Sequence, residues 1–133
     1  MKKLILIVSL LILSACTTLK NIDNANLNQK QQEAAAQEIT NIILSYYSSA
    51  TYPKIGLIND TEIAKILEQN LKKAGYAVDK PNNKNLKIIY KLQILNENSV
   101  FLNLEIENKK ISKIYQLRPH GLFSITPLTI GSK

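Results

Sequence analysis

Apolar residues recur along this chain with two different periods. From Gln31 to Ser49, "QQEAAAQEITNIILSYYSS", positions Ala35, Ile39, Ile42, Ile43, Tyr46 and Tyr47 are spaced by three and four. That spacing puts them on one face of a helix, with Glu33, Gln37 and Asn41 opposite. A second helical stripe, Ile63, Ile66, Leu67, Leu71 and Ala74, runs through "NDTEIAKILEQNLKKAGYAV". Asn59 is placed to cap it, with Glu62 three residues on as in a capping box. Asp60 and Glu62 suit the positive end of the helix dipole, Lys72 and Lys73 the negative end. Gly75 supplies the left-handed stop.

Elsewhere the period is two. In "LKIIYKLQIL" (86–95), Ile88, Tyr90, Leu92 and Ile94 share a face, with Lys87, Lys91 and Gln93 on the other. "NENS" turns the chain, and "VFLNLEIE" repeats the pattern with Val100, Leu102, Leu104 and Ile106 inward. Asn108-Lys109 offers a two-residue turn, since Asn tolerates positive φ. "KISKIYQL" (110–117) then closes a three-stranded antiparallel meander with one buried and one wet face. "TYPKIGLI" (51–58) is strand-like, with Pro53 restricting it to an edge or a strand start. The fold class that follows is α+β: two amphipathic helices packed on one face of an antiparallel sheet of three to five strands.

The N-terminus has neither period. Met1-Lys2-Lys3, the apolar run "LILIVSLLIL" (4–13) and Ser14-Ala15 form the charged start, apolar core and small-residue site of an export signal. Ten apolar residues are too few to cross a hydrocarbon core of about 30 Å, which takes roughly 20 in a helix. The chain's single cysteine, Cys16, follows directly. Leu13-Ser14-Ala15-Cys16 resembles the bacterial lipobox, which implies a diacylglycerol on the Cys16 sulfur and a mature chain beginning there. Thr17 stands where an Asp retains enteric-type lipoproteins at the inner membrane, so the resemblance implies the periplasmic face of the outer membrane. Residues 17–30, "TTLKNIDNANLNQK", are Asn-rich and read as a flexible tether. As a coil its root-mean-square reach is about 20 Å. The expected organisation is therefore a signal peptide at 1–15, a lipidated N-terminus and tether at 16–31, and one periplasmic domain at 32–133.

Composition then narrows the chemistry. Losing residues 1–15 leaves 15 basic against 10 acidic side chains. The lysines alternate with apolar residues along strands and do not cluster on one helix, there is no Trp, and Phe occurs twice, so no nucleic-acid partner is expected. With its one cysteine acylated, the domain has no disulfide, and its apolar core must hold it. His120, the only histidine, sits in the turn-like "LRPHGLF" with no cysteine partner, and no serine lies in a nucleophile-elbow context. No calcium-loop or phosphate-cradling pattern is found, so neither metal, cofactor nor catalytic residue is expected. Two features remain as candidate binding groups. Tyr47 is either a core residue at a helix end or a contact. The tail "RPHGLFSITPLTIGSK", irregular by its Pro119 and Pro127, either packs its apolar residues on the core or offers Leu122, Phe123 and Ile125 to another protein.

Taken in order, these segments resemble the TrbH-type conjugal transfer lipoproteins of type IV secretion systems. The resemblance rests on Cys16, a helix ending in "LSYYSSAT" with Tyr47-x-x-Ala50-Thr51, and Gly75-Tyr76-Ala77-Val78 after the second helix. It continues through "IIYKLQIL", Ile111-Ser112-x-x-Tyr115, and Gly121 ahead of Thr126-Pro127. Ser48-Ser49 replaces a Pro-Pro frequent in the family, which softens that link, and the family's tryptophan near the end is missing. The resemblance implies a non-enzymatic subunit of the mating-pair channel, anchored to the lipid membrane by Cys16 and bound to other secretion-channel proteins. The residues alone leave open a free-standing envelope lipoprotein that binds a small ligand or cell-wall fragment.

Overall fold

The computed structural model describes residues 20–132; the signal sequence and Cys16 lie outside this range. Three long strands make the centre: β4 (Leu86–Asn96), β5 (Ser99–Ile106) and β6 (Lys109–Arg118). They pair antiparallel as the alternation predicts, with Tyr90 opposite Leu104 and Val100 opposite Tyr115. Short strands flank them. β2 (Lys54–Leu57) and β1 (Ile22–Asn24) lie end to end along the free edge of β4, both parallel to it. β3 (Ala77–Asp79) pairs parallel with β2. On the far side β7 (Gly121–Ser124) and β8 (Thr129–Ser132) lie end to end along β6. The sheet is thus mixed and eight-stranded among the described residues, not antiparallel with three to five strands. The parallel part has a simple cause: β2 and β3 are joined by a helix, and a helical crossover returns the chain in the same direction.

Helix α1 (Gln29–Tyr46) starts two residues before the expected boundary. Asn28 and Gln31 form a capping box there, Asn28 Oδ1 accepting from the Gln31 N–H at 2.9 Å and Gln31 Oε1 from the Asn28 N–H at 3.0 Å. Its buried stripe is Ala35, Ala36, Ile39, Thr40, Ile42 and Ile43. Tyr46, expected on that stripe, is 49 % exposed; Tyr47, past the end of the helix, turns into the core instead. Helix α2 (Glu62–Lys73) is capped by Thr61 rather than Asn59, the Thr61 hydroxyl accepting from the Ala64 N–H at 3.0 Å. Ile63, Leu67 and Leu71 are fully buried, with Ala64 beside them. Gly75 ends the helix at φ +102°. There the Tyr76 N–H reaches the Leu71 carbonyl and the Gly75 N–H the Lys72 carbonyl, both at 3.1 Å, which satisfies two terminal acceptors.

Both helices cover one face of the sheet. Tyr90 and Tyr115 stand fully buried on that face, the Tyr90 hydroxyl hydrogen-bonded to Thr61 and the Tyr115 hydroxyl donating to Glu38 at 3.1 Å. Leu86, Ile88, Leu92, Val100, Leu102, Leu104, Ile106 and Ile111 fill the space between. Ile94 falls outside the core and is about half exposed, and the pairing shifts register just beyond it. The β5–β6 turn is Glu107-Asn108, not Asn108-Lys109, and the positive φ, +52°, falls on Glu107. Glu107 is held there because its N–H donates to the Lys87 carbonyl at 3.1 Å while its carboxylate accepts from the Lys87 N–H at 2.9 Å.

The region expected as a tether is partly structured: residues 20–31 contain β1 and the first turn of α1, and Asn21, Ala25 and Leu27 are buried. The C-terminal tail is not irregular either, since β7 and β8 both pair with β6. Gly56 in β2 is required by a close approach, because a Cβ there would lie 2.8 Å from Pro81 Cα and 2.3 Å from Asn85 Oδ1.

Replacing Gly75 with valine is expected to cost about 1 kcal/mol or more, since a β-branched residue resists φ above zero. Urea titration of the variant against the parent measures it; an unchanged midpoint would contradict the assigned helix stop.

Candidate functional site

Where two short strands meet end to end, a backbone N–H of the long strand loses its ladder partner. On the β4 edge that group is the Tyr90 N–H, and Asn21 supplies what is missing: its Oδ1 accepts from Tyr90 at 3.0 Å. The same side chain donates to the Ile58 carbonyl at 2.7 Å and to Asp60 Oδ1 at 2.9 Å, and the Asn21 N–H donates to Asp60 Oδ2 at 3.0 Å. Asn21 is 5 % exposed with every side-chain donor and acceptor engaged. Asp60, expected only as a dipole partner of α2, is thus half of a clasp holding the N-terminal segment. The Asn-rich stretch gave no periodic signal for this, because one asparagine does the work by hydrogen bonding and not by pattern.

The β6 edge repeats the device. Between β7 and β8 the Ile114 N–H donates to Thr126 Oγ1 at 3.0 Å, and the Ile125 N–H donates to the Ile114 carbonyl at 3.0 Å. Pro127, lacking an N–H, ends the pairing there, and the threonine hydroxyl bridges the break. The β6–β7 hairpin turns at Pro119-His120 and is hooked onto the start of α1: Asn28 Nδ2 donates to the Pro119 carbonyl at 3.1 Å and Gln31 Nε2 to the Arg118 carbonyl at 2.8 Å. His120 is exposed at this tip.

The sequence-predicted binding residues separate. Tyr47 is buried, its carbonyl accepting from the Tyr76 hydroxyl and its ring edge-on to Tyr52 at 5.1 Å between centroids. Lys109 Nζ lies 6.0 Å from the Tyr47 ring centre. Leu122 is half-buried against the core, as is Leu128. Phe123 and Ile125 project to solvent, more than half exposed, with the Arg118 guanidinium 4.3 Å over the Phe123 ring. The tail thus packs Leu122 and Leu128 on the core and leaves Phe123 and Ile125 exposed.

The titratable groups most displaced are core tyrosines. Burial pushes the Tyr90 and Tyr115 hydroxyls well above their ordinary value, and the nearby Glu38 carboxylate adds to the effect at Tyr115. Burial also raises Tyr47 and Tyr76. Of these hydroxyls, Tyr76 donates to the Tyr47 carbonyl and Tyr115 to Glu38. No set of three or more His, Cys, Asp or Glu side chains converges as for a metal among the described residues. An open groove of about 650 Å³ lies at the carboxyl ends of β2 and β3 beside α2, lined by Leu57, Ile58, Val78 and Pro81 with Glu68 and Lys80 at its rim. No helix among the described residues is long and apolar enough to cross a membrane.

Asn21→Ala leaves the Tyr90 N–H and the Ile58 carbonyl without these partners and should cost about 2–3 kcal/mol; Thr126→Val, which orphans one N–H, about 1 kcal/mol or more. Chemical denaturation of the two variants gives both numbers, and equal, negligible losses would refute the bridging role. Stability should also fall at alkaline pH. A tyrosine whose folded pKa is raised contributes fully below the unfolded value near 10 and progressively less above it, because only the unfolded chain then releases its proton. Folding free energy should thus be flat to about pH 10 and then decline by up to roughly 1.4 kcal/mol per pH unit per buried tyrosine. Tyr115→Phe should make that decline shallower in a pH series of melts.

Compared with known families, residues 16–133 match the model described as "Conjugal transfer protein TrbH". No curated protein matches the chain.

Proposed function

The chain belongs to the TrbH family of conjugal transfer proteins, and on that premise we propose that it is a lipid-anchored, non-enzymatic subunit of a conjugative type IV secretion channel. The observation that carries this reading is the family match, which extends over the whole domain and begins at Cys16 itself. The anchor is a thioether-linked diacylglycerol on Cys16, aided by further acylation, since one acyl chain holds only reversibly and two or more hold for practical purposes. The site of action is the periplasmic face of the outer membrane.

The mechanism is localisation joined to docking. Lipid confines the domain to a thin layer, and effective concentration there turns a modest protein contact into a durable one, with gains of about 10²–10⁴ in avidity. The contact with channel proteins uses the β6–β7 ribbon, where Phe123 and Ile125 stand exposed on a hairpin whose turn is pinned to α1. Aromatic and arginine groups such as Phe123 and Arg118 are enriched in protein interfaces. A free-standing envelope lipoprotein is the second reading. The apolar groove beside Leu57 and Val78 favours it, having the size and lining of a small-molecule site.

Cys16→Ser should move the protein from the outer-membrane fraction of a density gradient to the soluble periplasm or the inner membrane, and lower plasmid transfer by about 10²-fold or more. Unchanged fractionation with full transfer would refute the anchor. Full transfer by a strain lacking the gene altogether would favour the second reading.

A further inference from the structure

The helices leave the opposite face of the sheet open. Alternation puts Leu86, Ile88, Tyr90 and Leu92 under the helices, so Lys87, Ile89 and Lys91 point away from them. The same parity in β5 and β6 sends Phe101, Ile114, Lys110 and Arg118 to that side. Ile89, Phe101 and Ile114 are half-buried there. At the open-face positions of β4, β5 and β6 stand four basic residues and one acid, Glu105, which already lies 3.8 Å from Lys110 Nζ. The face is apolar in its centre and basic around it.

The path of the chain supplies the second observation. Lys20 and Ile22 line a hollow of about 300 Å³ on this open face, together with Ile89, Lys91 and Asn103. Asn103 Oδ1 is enclosed there with no hydrogen-bond donor among the described residues. Because Asn21 is locked to Asp60 and Tyr90, the free tether is not the fourteen residues that the sequence suggests. Only four residue steps separate Lys20 from Cys16, which at full extension is no more than about 14 Å. This is comparable with the Debye length of roughly 10 Å at 0.1 M salt. Charges on this face lie within electrostatic reach of whatever surface holds Cys16.

We infer that the open sheet face rests on a phospholipid surface bearing anionic headgroups, with Lys87, Lys91 and Lys110 facing the phosphates and Phe101 and Ile114 toward the interface. The orientation rests on the proposed anchoring at Cys16, whereas the affinity of the face for lipid does not. Phe123, paired opposite Gln116, and Arg118 stacked on it lie on this same side, so the exposed end of the β6–β7 ribbon borders the lipid-facing surface.

The test uses residues 16–133 carrying Cys16→Ser, which contain the whole described fold and no acyl chain. This protein should float with phosphatidylglycerol-containing vesicles at low salt, release at high salt, and ignore phosphatidylcholine vesicles. Each lysine near an anionic surface contributes about fivefold, so replacing Lys87, Lys91 and Lys110 together with glutamine should lower partitioning by roughly 100-fold. Lys65 and Lys72 on α2, changed in the same way, should leave it nearly unaltered; circular dichroism verifies that all variants fold. Absence of binding to anionic vesicles, or equal loss from the α2 variant, overturns the inference. So does a concentration-dependent dimer that Phe101→Ser dissociates, which would give the face to a second copy of the chain. Mass spectrometry of the native protein reports on Cys16 acylation separately, so failure of the anchor and failure of the face are distinguishable.

Discussion

The fold depends on satisfying long strands with short neighbours. β4 and β6 are 11 and 10 residues long, and among the described residues no strand pairs with the whole of either outer edge. Two short strands are laid end to end on each side instead, and each junction would leave a backbone N–H unpaired. An orphaned buried N–H costs about 1–3 kcal/mol, a large fraction of the stability of a domain this size. Asn21 and Thr126 remove that cost by placing a side-chain oxygen where a strand carbonyl would otherwise stand.

The two bridges also tie distant parts of the chain to the centre. Asn21 joins the N-terminal segment to β4 and to the loop that starts α2, while Thr126 joins the tail to the middle of β6. α1, whose first turn holds the β6–β7 hairpin through Asn28 and Gln31, closes the circuit from the N-terminal side to the C-terminal side. The consequence for function is geometric. A domain proposed to hang from a lipid at Cys16 would be joined to it through Lys20, beside the Asn21 clasp on β4. Its apolar ribbon is likewise held in one place by the same helix cap.

The two faces of the sheet divide the labour. One is sealed by both helices and contains Tyr90 and Tyr115, whose hydroxyls are hydrogen-bonded to Thr61 and Glu38. The other is basic and, among the described residues, not covered by a helix.

Much of this was legible in the residues. The stripe Ile63, Leu67, Leu71 and the stop at Gly75 determine α2, and the alternation through β4, β5 and β6 determines the meander and its buried face. Both are local patterns, in which each residue's role follows from neighbours two to four positions away. Cys16 likewise needs only its immediate context to mark a candidate lipid anchor. The strands β1, β7 and β8 carry no such pattern: they are three or four residues long, and one of them lies in a run of asparagines. Their existence was decided by β4 and β6, whose free edges recruit any backbone that can reach them. The caps at Asn28 and Thr61, the turn at Glu107, and the tie from Asn21 to Tyr90 across 69 residues belong to the same class. A hydrogen bond is made with whatever donor or acceptor folding brings within 3 Å, and only the assembled tertiary structure determines which one that is.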